Sequence, residues 1–254
     1  MPHDIATATW VAGGLRSGLV GAALLLALTG CSPAPTTAVP PSPAPTVSVD
    51  PDDPAVIRDT GVPLSSGAVT VAVATPTAEV TPQDDGSARL SVPSGDARLA
   101  SPEGMTLTAL SDGSAVVRDA AGGFVAGLTT EPGGVQLTQL GPEAVRLTAG
   151  DATPGPAGVW LASVAVGSAV WGEAEGGRSL AVTPSAWARA RSLAAQEGLW
   201  AQLVAQAPDA DTPGMQDQLE CHELGAPDKA TWNLEPWRPD VDGLEMIAAR
   251  CNPT

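Results

Sequence analysis

The chain has 254 residues, with 28 acidic and 12 basic side chains and a net charge of −16. A polyanion of that size repels phosphate backbones, which excludes nucleic acid as a partner and disfavours lying flat on an anionic membrane. The length fits one large domain or two small ones.

Residues 1–30 read as a secretory signal. Arg16 precedes an uncharged apolar run at 18–28, and Leu28-Thr29-Gly30-Cys31 closes it. The run is too short to span a bilayer as a mature helix. The tetrapeptide resembles the lipobox of bacterial lipoproteins, in which the cysteine thiol receives a diacylglyceryl group. That resemblance implies lipidation at Cys31, a membrane partner reached through the lipid, and a folded part on the extracytoplasmic side of the cell membrane. Two acyl chains suffice for stable anchoring, since each buried methylene contributes about 0.8 kcal/mol. Residues 31–57 are then the lipidated cysteine and a Pro-rich tether. Such a segment favours polyproline II and reaches roughly 70 Å at full stretch. Asp50, Asp52 and Asp53 at its end read as a solvated charge run.

Residues 58–157 read as a β-rich antiparallel region. Val69-Thr70-Val71-Ala72-Val73, Ala88-Arg89-Leu90-Ser91-Val92, Met105-Thr106-Leu107-Thr108-Ala109-Leu110, Ala115-Val116-Val117-Arg118, Val135-Gln136-Leu137-Thr138-Gln139-Leu140 and Ala144-Val145-Arg146-Leu147-Thr148 alternate or are β-branched. Asp84-Asp85-Gly86-Ser87, Asp112-Gly113-Ser114, Gly122-Gly123 and Pro132-Gly133-Gly134 are turn signals between them. Short strands with frequent turns predict a meander or small sandwich. Its core is thin, because its apolar side chains are mostly Ala and Val.

At Gly158 the composition changes, and every tryptophan after Trp10 lies beyond this point. Residues 158–254 are therefore read as a separate, small, mixed α/β, tryptophan-rich domain, making the whole chain α+β. A long strand is predicted over 159–171 and a returning strand over 178–182. Thr183 and Pro184 have the chemistry of an N-cap and first helical residue, with Trp187, Ala190, Leu193 and Ala194 at helical spacing. Gly198 is expected to break or bend that helix. Residues 208–214 read as a loop. Pro236 and Pro239 make 232–237 extended, with Trp232 and Leu234 on one face and Asn233, Glu235 and Trp237 on the other. Asp240 or Asp242 would cap a short helix over 244–250. Trp171, Trp187 and Trp200 are expected in the core.

With Cys31 lipidated, two cysteines remain in an exported chain, and they read as one disulfide, Cys221 to Cys251. Closing that loop contributes roughly 3.5 kcal/mol on the chain-entropy model. A metal site from Cys221, His222 and Cys251 competes with this, but it lacks an obvious fourth ligand and the usual spacing of structural zinc sites.

The Trp171 hairpin, Leu180-Ala181-Val182-Thr183-Pro184, Asp217-Gln218 before Cys221-His222, Trp232-Asn233-Leu234-Glu235-Pro236-Trp237-Arg238-Pro239 and Cys251-Asn252-Pro253 resemble one family. It is the bacterial domain-of-unknown-function family numbered 2599, found in exported proteins and lipoproteins. The resemblance covers about 159–253 and implies location and architecture rather than an activity.

Catalytic readings are weak. Cys221 and His222 are adjacent, with Asp217, Glu220 and Glu223 nearby, but neighbours on an extended segment face opposite ways. Glu220 or Glu235 with Asp240 could form a carboxylate pair for a hydrolase acting on cell-wall glycan or peptide. No Gly-x-Ser-x-Gly, His-Glu-x-x-His or phosphate-binding loop occurs. No catalytic residue, metal or cofactor is assigned. His222, Asn233, Glu235, Trp237 and Arg238 form the candidate functional surface. The favoured expectation is a non-enzymatic, membrane-anchored envelope protein, binding or structural, with an envelope polymer or protein as partner.

Overall fold

A computed structural model describes residues 48–254. The expected signal, Cys31 and most of the tether lie outside the described residues. The folded part starts earlier than position 58. Asp53 caps α1 (Pro54–Thr60), accepting a hydrogen bond from the Ala55 N–H, and Ile57 on that helix is fully buried. Asp52 pairs with Arg98. Two of the three aspartates expected to be merely solvated therefore hold the first helix in place.

Two antiparallel sheets follow. One has the order β1 (Val62–Ser66), β2 (Val69–Ala74), β5 (Asp96–Ala100), β10 (Ala144–Ala149), β9 (Val135–Gly141). The other runs β3 (Glu79–Pro82), β4 (Ala88–Val92), β11 (Ala157–Ala162), β8 (Phe124–Glu131), β7 (Ala115–Arg118), β6 (Thr106–Ala109). The six strands predicted from alternation are all present. Their inward residues, such as Val69, Val71 and Val73 or Val135 and Leu137, meet in one core between the sheets. The buried members of that core are Leu, Val and Ala only, as the composition predicts.

A third sheet, β12 (Val166–Ala174), β13 (Gly177–Pro184), β14 (Trp232–Leu234), packs with α2 (Leu193–Gln206) and α3 (Pro213–Gly225) around a second core. Trp187 and Trp232 are fully buried there, and Trp171 and Trp200 pack against it half-buried. A short α4 (Gly243–Ala248), capped by Asp242, is the last helix among the described residues. The described residues hold no helix long and apolar enough to cross a membrane.

Several expectations give way here. The strand expected over 159–171 is two strands in different sheets. Between them, Ser163 N–H donates to Ser66 Oγ at 2.9 Å. The N–H groups of Ala165 and Val166 donate to Gln202 Oε1 at 2.8 and 3.1 Å. Side chains thus satisfy the backbone where pairing stops. Gly158, the expected boundary, lies inside β11, which pairs with β4 and β8. The residues through Ala162 accordingly belong to the sandwich. Thr183 and Pro184 cap nothing, because β13 pairs with β12 up to Pro184. The helix begins after Ser192, whose hydroxyl accepts from the Ala195 N–H. Gly198 does not break it. It lies within α2, where a Cβ would come 2.6 Å from Phe124 Cζ. Glycine is there so that the helix can lie against that ring.

Candidate functional site

Cys221 and His222 were expected on an extended segment, and the structure places them on α3. Thr212 caps this helix through a bond from the Met215 N–H, and Pro213 is its first residue. On a helix, Gln218, Cys221 and His222 share one face, while Gln216, Leu219, Glu220 and Glu223 share another. The first face builds a clasp with the chain end. The second lines a groove against α2.

The clasp is closed by the Cys221–Cys251 disulfide, with Cα atoms 5.5 Å apart. His222 is buried, and its Nε2 lies 3.0 Å from the Asn233 carbonyl oxygen. A carbonyl only accepts, so Nε2 carries the proton. Burial lowers the pKa of His222. The hydrogen bond to Asn233 and the charge of Glu235 oppose the shift, and Lys229 and Arg238 add to it. The imidazole is therefore held in the neutral form.

Trp232 and Leu234 are buried and Asn233 is exposed, as alternation predicts. Glu235 departs from it. It was placed on the outer face, yet it is 1% exposed. The strand ends at Leu234, and the Glu235 N–H turns inward to Gln218 Oε1 at 2.8 Å. Gln218 Nε2 in turn donates to the Glu235 carbonyl at 3.0 Å. The Glu235 carboxylate accepts from Ser179 Oγ at 3.0 Å and from Arg238 Nε at 2.9 Å. Arg238 is also buried, and it donates further to the Pro253 carbonyl at 3.1 Å and to Glu175. Trp237 remains 45% exposed. Its ring lies 4.7 Å from the Arg238 guanidinium carbon and against Gly177, where a Cβ would strike it.

Four of the five candidate residues thus meet, but through internal contacts. His222 is engaged through Nε2, Glu235 and Arg238 have their charged groups engaged, and Trp237 caps the pair from outside. Asn233 contributes its carbonyl while its side chain faces solvent. Glu220 faces the α2–α3 groove, and Asp240 is exposed beyond the clasp.

Residues 166–254 match the family described as Protein of unknown function (DUF2599). The DUF2599 match begins at the first residue of β12, where the sandwich has ended. That is seven residues after the start of the resemblance expected from the tryptophan-proline motif. Three mycobacterial proteins are similar to part of the chain. Uncharacterized protein Rv0477 of Mycobacterium tuberculosis (strain ATCC 25618 / H37Rv) is 48% identical over 83 residues, 30% of this chain and 56% of that protein. Uncharacterized protein Mb0487 of Mycobacterium bovis gives the same values. Uncharacterized protein ML2452 of Mycobacterium leprae is 40% identical over 81 residues, 30% of this chain and 60% of that protein. The chain spans little more than half the length of these curated relatives. No solved structure matches it.

The α2–α3 groove escaped the sequence reading. Its carboxylates were visible as acids near Cys221, but only the helical period of α3 puts Glu220 and Glu223 beside Leu219. The Thr212-Pro213 cap was the signal that could have revealed it.

Proposed function

We propose that this chain is an exported lipoprotein, anchored through Cys31, whose DUF2599-like part is a non-enzymatic binding or structural module of the cell envelope. The observation that carries this reading is the clasp. Its most reactive groups, the Cys221 thiol, the His222 imidazole and the Glu235 carboxylate, are each committed to an internal partner. A nucleophile or general acid must be free to reach substrate. The lipobox-like Leu28-Thr29-Gly30-Cys31 and the proline-rich residues after it support an anchor followed by a spacer.

Fractionation of cells expressing the wild type and Cys31→Ser tests the anchor. The wild type should sediment with membranes, and the variant should be released. A variant that stays with the membranes defeats the anchoring reading. Cell-wall glycan or peptide turnover that disappears in Glu235→Gln, measured on a variant shown to be folded, would instead establish the hydrolase.

A further inference from the structure

The second face of α3 carries chemistry that the clasp does not use. Between α2 and α3 lies a groove of about 410 Å³, within the range of small-ligand sites. Leu110, Trp200 and Leu219 supply apolar wall, and Gln196, Glu220 and Glu223 supply polar groups. None of the groove's lining residues is basic. Glu197 at its edge is already held by both terminal nitrogens of Arg118.

Glu223 is the unusual member. It is 1% exposed, and its Oε1 has no hydrogen-bond partner. Leaving a buried polar atom unpaired is costly, so such an atom in a groove wall is an acceptor suited to a ligand. The surroundings specify the donor. Burial first, and then the charge of Glu220, push the Glu223 carboxyl up to about 7, against the Gln196 side chain and Arg191. A positive charge placed between the two acids relieves both effects. A buried acceptor oxygen of this kind suits a compact point donor such as an ammonium. Trp200 and the leucines suit an alkyl stem, and a tryptophan face also attracts a cation. A metal ion fits poorly, since among the described residues no cluster of three His, Cys, Asp or Glu could hold one.

We infer that the α2–α3 groove binds a primary ammonium on a short alkyl chain, a lysine-like side chain, with Glu223 as its anchor, Glu220 as a second acid and Trp200 beside the stem. This rests on the binding reading above by naming a ligand class for it. The two can fail separately. Release by Cys31→Ser says nothing about ammonium binding, and absence of ammonium binding leaves the anchor intact.

The test is titration of the full chain with Nα-acetyl-lysine methylamide and with its norleucine counterpart, which has a similar stem and no ammonium. The lysine compound should bind saturably at one site, at least about tenfold more tightly than the norleucine compound, a tenfold ratio being the usual scale of one charge-assisted hydrogen bond. Glu223→Gln should remove that preference, while Glu103→Gln, at an exposed position, should keep it. The wild type supplies a readout that needs no variant. Because Glu223 must ionise to hold an ammonium, affinity should fall by about tenfold from pH 8 to pH 6. A flat pH profile, equal binding of the two compounds, no saturable binding, or a folded Glu223→Gln that binds like the wild type would overturn the assignment.

Discussion

Arg238 and Glu235 have side chains only 1% and 2% exposed, so their ion pair has been taken out of water. Such a pair contributes little beyond what apolar residues of equal volume would, but removing one partner strands the other charge. Arg238→Ala should therefore cost about 3–5 kcal/mol in denaturant unfolding. A double variant, Arg238→Met with Glu235→Leu, should recover much of that loss. Glu223 gives a second prediction, through pH. Its pKa is raised from 4.5 to about 7, so the folded state holds a proton that the unfolded state has released. Stability from this group is full below pH 4.5 and is lost as pH rises through about 7. A shift of this size corresponds to about 3 kcal/mol. His222 works in the opposite sense, because its lowered pKa makes the unfolded state bind protons first as pH falls below 6.5. The difference in unfolding free energy between wild type and Glu223→Gln isolates the carboxyl. It should favour the variant increasingly from pH 5 to pH 8, and a constant difference would show that Glu223 is not perturbed. At this scale the sequence was legible where local periodicity rules, as at Trp232, Asn233 and Leu234. It failed at Glu235, where a tertiary partner, Gln218, ends the strand.

The same division holds for whole elements. Strands with clean alternation were predictable, because burial on one face imposes a period of two. Helix starts were predictable only in part: Asp242, one of the two caps expected for it, does cap α4, but the starts of α2 and α3 were missed. Thr183-Pro184 and Thr212-Pro213 carry the same local signal, and only the second caps a helix. The first is outcompeted by pairing with β12. The true start of α2 depends on residues far away in sequence. The N–H of Leu193 donates to Asp112 Oδ2 at 2.8 Å, and that of Ala194 to Ser114 Oγ at 3.2 Å. The turn between β6 and β7 thus caps a helix of the second core. Burial opposes ionisation of Asp112, but hydrogen bonds from the Ser114 hydroxyl and from backbone N–H groups outweigh it and hold the carboxyl below its usual range. Asp112→Ala should lower stability by about 1–2 kcal/mol, the scale of a lost helix cap. Gly198→Ala tests the face of α2 that meets Phe124. Helix propensity alone predicts a gain of about 1 kcal/mol. Phe124 stands where the new methyl would go, so a loss of about 1–3 kcal/mol is expected in thermal or denaturant unfolding. A gain would mean that the ring moves aside freely.

For the molecule as a whole, the two cores differ in how they are secured. The sandwich core contains no buried residue beyond Leu161, and its strands are tied by sheet pairing along their lengths. The second core owes its third strand, β14, to α3 and the chain end. Besides the pairing of β14 with β13, the ties are Trp232 Nε1 to the Ala226 carbonyl at 2.9 Å, His222 to Asn233, Gln218 to Glu235, and Arg238 to Pro253. The disulfide spans 30 residues and encloses all of these except Gln218 and Pro253, which lie just outside it. Constraining a loop of that length in the unfolded chain contributes roughly 3.5 kcal/mol. Its loss in a Cys221→Ala, Cys251→Ala double variant should weaken the clasp before the sandwich, because regions of lower local stability open first. Amide hydrogen exchange followed by mass spectrometry reads this directly. Peptides from 218–254 should exchange faster in the variant, while those from β5 and β10 keep their protection. Equal acceleration across both regions would mean that the cores unfold as one. The links through Asp112, Ser114 and Phe124 would then be stronger than the clasp they support.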